Sequence, residues 1–190
     1  MWLGYQRHDE TVSAALMSGL RQPLSSLERA LEAICILAVA LSFALPLLVW
    51  GRLPDRVPTH FGASGEADAF GPKSALLNLA WVQLGMWAFL SLITPLLKRI
   101  SPRYWNMPIR VTAENAERVA GALRTSMLWL KLLTLWTFTL LQFQMVNSAL
   151  ANTNVMSAWM LPLLLVLPIA SILVMGLSFA SLYRADRSRA

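Results

Sequence analysis

A stretch of 52 residues, Leu132 to Tyr183, contains no charged side chain. Water-soluble domains do not leave that much chain uncharged. A helix that crosses a bilayer needs roughly 20 apolar residues, so this stretch is long enough for two crossings. The turn between them is written into it, because Asn147, Ser148, Asn152, Thr153 and Asn154 interrupt the apolar run. The chain is therefore expected to lie in a membrane, with lipid as its solvent.

The same reasoning along the 190 residues predicts four spans: Leu31 to Trp50, Ala75 to Leu97, Leu123 to Val146 and Ser157 to Tyr183. In lipid every backbone group must be bonded within the protein, and no alternating barrel pattern is present, so the spans are helices. Pro46, Pro95, Pro162 and Pro168 are tolerable there as kinks or end positions. The fold class predicted is an all-α integral membrane protein, a bundle of four transmembrane helices. An arm (1–30) precedes the membrane domain (31–183), which carries an outer loop (53–73) and an inner loop (98–122). A short tail (184–190) follows.

Orientation follows from Lys and Arg. With the N-terminus inside, twelve of the sixteen fall on the inner side: Arg7, Arg21, Arg29, Lys98, Arg99, Arg103, Arg110, Arg118, Arg124, Arg184, Arg187 and Arg189. Three (Arg52, Arg56 and Lys73) fall outside, and Lys131 lies in a span. Such a bias predicts both termini in the cytoplasm. It also explains the net charge of +6 without nucleic acid. Trp50, Trp81 and Trp159 fall near the outer surface, as an aromatic belt would. Residues 1–29 include Asp9, Glu10, Arg21 and Glu28, so a cleavable signal peptide is not expected. In the arm, Val12, Leu16, Leu20 and Leu24 share an apolar face that Pro23 ends. An interfacial helix and a loosely ordered polar tail are both open readings. Cys35 lies in an apolar run, where a free thiol acts as a small hydrophobe.

The outer segment Leu53 to Lys73 reads LPDRVPTHFGASGEADAFGPK. Pro54 and Pro58 stiffen it, and Gly62, Gly65 and Gly71 permit tight turns. Such a loop is built for one defined shape, anchored by Phe61 or Phe70. His60, Glu66 and Asp68 are a conceivable zinc set. Their spacing points instead to turn caps and backbone bonds, with Lys73 or Arg56 paired to a carboxylate, and no metal or other cofactor is expected. No nucleophile stands beside a base, so the chain is not expected to be an enzyme. What remains for His60, Phe61, Glu66, Asp68 and Lys73 is recognition of a ligand outside the membrane.

Lys131 is a charge inside a span, a functional hypothesis by default. Snorkelling to the inner headgroups is the competing reading. Lys131, Thr134, Phe138 and Gln142 fall on one helical face, with Thr137 and Gln144 off it, and such a stripe is expected to face other helices. Glu32 is the natural partner for Lys131, and Glu28, four residues away, points the same way. The segment Thr112 to Arg118 reads as the start of the third helix, with Arg118 and Arg124 at the inner headgroups.

Leu53, Pro54, Val57, Pro58, His60, Phe61, Gly65, Asp68, Gly71 and Lys73 together resemble the signature of a bacterial membrane-protein family, domain of unknown function 1648. Gly62 stands where many members carry Asn. The inner run Tyr104, Trp105, Asn106, Met107, Pro108, Thr112, Glu114, Asn115, Ala116, Glu117 and Arg118 resembles a second segment found in some members. The outer signature also occurs in SdpI-type immunity proteins, over their first spans only. The resemblance implies a multi-pass protein of the bacterial cytoplasmic membrane that senses or resists a toxin peptide. The alternative is a structural or accessory subunit of a membrane complex, docking through the Lys131 stripe; a toxin peptide, a partner membrane protein and a second copy of the chain are all open as partners.

Overall fold

The structure, a computed structural model, describes residues 10–105, 107 and 109–187. Of the residues singled out above, Arg7, Asp9, Asn106, Pro108 and Arg189 lie outside these. The described chain forms α1 (Glu10–Arg21), α2 (Ser26–Leu48), β1 (Arg56–Phe61), β2 (Ala67–Pro72), α3 (Ser74–Leu97), α4 (Ala116–Ala151) and α5 (Met160–Arg187). Four helices are long and apolar enough to cross a membrane: α2, α3, α4 and, over Met160–Ser181, α5. Their perimeter stays apolar, with Leu48, Phe89, Leu92, Ile172 and Leu177 all well exposed. An apolar girdle of that extent suits a lipid environment. The all-α expectation needs one addition, because the loop after α2 folds into an antiparallel hairpin.

α4 is the hub and packs against α1, α2, α3, α5 and β1. It has 36 residues, about 54 Å of helix against an apolar bilayer core of about 30 Å. It starts seven residues before the predicted span, so the inner loop is correspondingly shorter. Asn115 precedes it. Asn115 Oδ1 accepts from the Thr112 N–H at 2.8 Å, and its Nδ2 donates to the Arg110 carbonyl at 3.0 Å. At the far end Asn147 and Ser148 stay helical, and Asn152 ends the helix with a left-handed φ of 51°. Asn tolerates that conformation better than most residues.

Over Glu10–Arg21 the arm is a helix, which overturns the polar-tail reading for that part of it. Leu16 and Leu20 of α1 are fully buried against Ala116, Val119 and Ala120 at the start of α4. Gly19 allows the approach, since a Cβ there would lie 2.7 Å from the Ala120 Cβ. Leu24 lies beyond α1 and is exposed. Ser25 then caps α2. Its Oγ accepts from the Glu28 N–H at 3.2 Å, and the Glu28 carboxylate accepts from the Ser25 N–H at 2.7 Å.

Candidate functional site

The hairpin sits over one end of the bundle. Leu53 and Val57 are buried against Leu76 of α3 and against Met145, Val146 and Ala149 of α4, with Phe61 packed alongside. Val57 and Leu53 are thus the main anchors. Phe61 helps, and Phe70 is exposed at 40%. The pairing runs Arg56↔Pro72, Val57↔Gly71, Pro58↔Phe70, then shifts to His60↔Ala69 and back at Phe61↔Ala67. Thr59 and Asp68 are the residues the shifts leave over. Bulges of this kind re-aim side chains.

At the bulges His60 Nδ1 lies 2.5 Å from Asp68 Oδ1, with both side chains more than half exposed. The imidazole therefore bonds a carboxylate rather than a backbone carbonyl. Lys73 lies 3.7 Å from Asp55 and 5.4 Å from the centre of the Trp50 ring. Arg56 bonds the Phe70 carbonyl at 3.3 Å. Glu66 sits at the hairpin tip and bridges to Val155 of the α4–α5 connection. The Ala67 N–H donates to the Asn154 carbonyl at 2.6 Å, and the Met156 N–H to the Gly65 carbonyl at 2.7 Å. Gly65 makes this turn at φ +80°. The structure thus brings His60 and Asp68 together and gives Lys73, Glu66 and Phe61 separate structural partners. Among the described residues no group of three or more His, Cys, Asp or Glu is placed to hold a metal.

The second candidate is inside. Lys131 is 4% exposed and forms an ion pair with Glu32. Lys131 Nζ also donates to Ser91 Oγ at 3.2 Å, and Trp87 Nε1 to Glu32 Oε1 at 3.2 Å. The stripe faces α2 and α3, so it is no docking face, and that role is withdrawn. Its middle member is Thr139 rather than Thr134, which is half-buried outside the network. Thr139 Oγ1 accepts from Gln83 Nε2 at 2.9 Å and lies 3.1 Å from the Ala38 carbonyl. Gln142 Nε2 donates to the Leu76 carbonyl at 2.9 Å. Gln144, also buried, bonds Ser148 on another face of α4.

Glu28 has its own partner. Arg124 Nε lies 3.1 Å from Glu28 Oε1, and Arg124 Nη1 donates to the Gln22 carbonyl at 2.8 Å. Arg124 is 9% exposed, so it is a buried clasp and not a headgroup anchor. Sequence reasoning missed this clasp, together with Gln83, Ser91 and Trp87. The signals were present: Ser25 and Glu28 have capping-box spacing, and Gln83 is an amide inside an apolar run.

Residues 37–84 match the model of a family described as a domain of unknown function (DUF1648). The match runs from α2 through the hairpin into α3. It contains every outer-loop residue on which the resemblance rested and leaves out the segment Thr112 to Arg118. An uncharacterized protein of Archaeoglobus fulgidus is 40% identical over 89 residues, which cover 45% of this chain and 49% of that protein. The chain thus spans about half the length of that relative. No solved structure matches.

Proposed function

We propose that this chain is a small, non-enzymatic, multi-pass protein of the cytoplasmic membrane, with both termini inside, whose outer hairpin recognises an extracytoplasmic ligand. A toxin peptide, met as part of immunity or signalling, is the specific version. One observation carries the reading: the exposed His60–Asp68 pair on a hairpin whose other face is anchored to the bundle. An exposed side-chain pair of this kind contributes about 0–1 kcal/mol to stability, so folding gives little reason for it. A rigid scaffold that presents polar groups to solvent is how binding loops are built. The hairpin is also where the DUF1648 match is centred.

The test uses cells that make the chain and are challenged from outside with a panel of membrane-active peptides. Wild type should protect against at least one. His60→Ala and Asp68→Ala should lose that protection at an unchanged membrane level. Protection that persists in both variants removes the hairpin from recognition, and no protection at all removes the immunity version. A photo-reactive residue at position 60 keeps the broader reading testable. It should give discrete products absent when the same residue is placed at the exposed apolar position 172.

A further inference from the structure

The two-stranded sheet has an inner and an outer strand. β1 packs on α4 and buries Val57 and Pro58. β2 lies outside it, with Asp68, Ala69 and Phe70 exposed in succession. One edge of β2 is taken by β1. Among the described residues the other edge carries a single bridge, at the hairpin tip. An open edge is a row of backbone N–H and C=O groups ready to pair with another chain.

The chain itself pairs with this edge. Residues 154–156 run antiparallel to residues 65–67. The Ala67 N–H donates to the Asn154 carbonyl at 2.6 Å, and the Met156 N–H to the Gly65 carbonyl at 2.7 Å. Ala67 also faces Phe61 of β1, so the bond to Asn154 leaves β2 on the side away from β1. The added piece begins only at Asn154, because Asn152 ends α4 in the left-handed conformation at φ 51°. The chain leaves the helix too late to cover more of β2. Asp68 to Gly71 continue the same edge with no partner strand among the described residues, about 13 Å of strand. Pro72 closes it, because it has no N–H to offer.

The surroundings choose the occupant. A lipid chain has nothing to offer backbone amides. A second copy fits poorly, because its β2 runs on into the hairpin tip at one end and into α3 at the other. Laid along this edge in either direction, it would drive one of these into Asn154. An extended peptide can end there. Asp68 and Phe70 flank Ala69 and are both exposed, and Asp68 holds His60. In strand addition the backbone bonds supply affinity, and side-chain sites along the strand supply specificity. Here those sites are an aromatic ring and the imidazole–carboxylate pair.

We propose that the free edge of β2, Asp68 to Gly71, takes up an extended peptide as an added strand, in line with residues 154–156. The proposal rests on the recognition reading above and specifies how that ligand is held.

The experiment is hydrogen exchange at the β2 amides of the full chain in detergent, alone and with each member of the same peptide panel. At least one peptide should slow the edge amides between Asp68 and Gly71 saturably, by about tenfold when it stands at ten times its Kd. Two analogues of that peptide, N-methylated at alternate amides in opposite phase, should then differ. One should keep the effect and the other lose it, because a strand turns only every second N–H toward a given neighbour. A panel in which no peptide slows these amides overturns the inference. If cells are still protected, and His60→Ala and Asp68→Ala abolish that protection, recognition stands and only the edge is lost. Slowed amides without protection of cells remove immunity and leave the edge. Slowing that both analogues keep overturns strand addition. Slowing in the chain alone that rises with its concentration gives the edge to a second copy and overturns the peptide.

Discussion

A lysine ammonium exposed by 4% inside an apolar bundle loses hydration worth several kcal/mol, and only a well-placed counter-charge offsets that. Glu32 supplies it, with Ser91 and Trp87 bonding the remaining polar groups. Removing one partner from such a pair typically costs about 3–5 kcal/mol. Lys131→Ala should therefore destabilise the chain strongly, and Lys131→Arg less, because the charge stays. Glu32→Gln should partly rescue Lys131→Ala, because the stranded carboxylate goes with it. Denaturant unfolding of these variants in one detergent checks this, and an unchanged midpoint for Lys131→Ala retires the pairing. The pair was legible in the sequence because a charge in an apolar run needs a carboxylate at matching depth. The rest of the stripe was less so. Thr134, Thr137, Thr139, Gln142 and Gln144 place polar groups on several faces of α4, and only the packed neighbours choose Thr139 and Gln142. Arg124 misled for a related reason, since an arginine near a span end reads as an anchor until its partner Glu28 is seen.

Helices α1 and α4 meet at Gly19, where even a methyl group would lie 2.7 Å from the Ala120 Cβ and 3.2 Å from the Glu117 Cα. Part of that contact is backbone, so the helices must separate to relieve it. Gly19→Val should detach α1 and expose Leu16 and Leu20, a loss of about 2–3 kcal/mol from partial exposure of two leucines. Faster protease cleavage after Arg21 is the readout, and unchanged cleavage would mean that α1 does not depend on this crossing. The amphipathic spacing of Val12, Leu16 and Leu20 made the helix legible, but not what it packs against. The hairpin was legible only as an ordered loop. Pro58 in β1, with Gly71 and Pro72 in β2, suppresses any strand signal. Packing of Leu53 and Val57 on α3 and α4 supplies what local propensity lacks.

At the scale of the whole molecule, the hairpin and the α4–α5 connection are bonded to each other through Ala67, Asn154, Gly65 and Met156. If the four helices cross a bilayer, both lie on the same side of it. α1 packs on the opposite end of α4, beside Val111. In the proposed topology four crossings put α1 and the end of α5 on a single side, and the excess of arginine and lysine predicts that side to be the cytoplasm. These arguments are independent, one geometric and one electrostatic, so a paired measurement separates them. Reporters fused at Gly62 and Asn152 should both read outside, and one at Glu114 should read inside. Opposite signals at Gly62 and Asn152 would break the bonded cap and the four-span fold with it. Matching inside signals would preserve the fold and invert the molecule. The His60–Asp68 pair would then face the cytoplasm, and recognition of an extracytoplasmic ligand would fall with it.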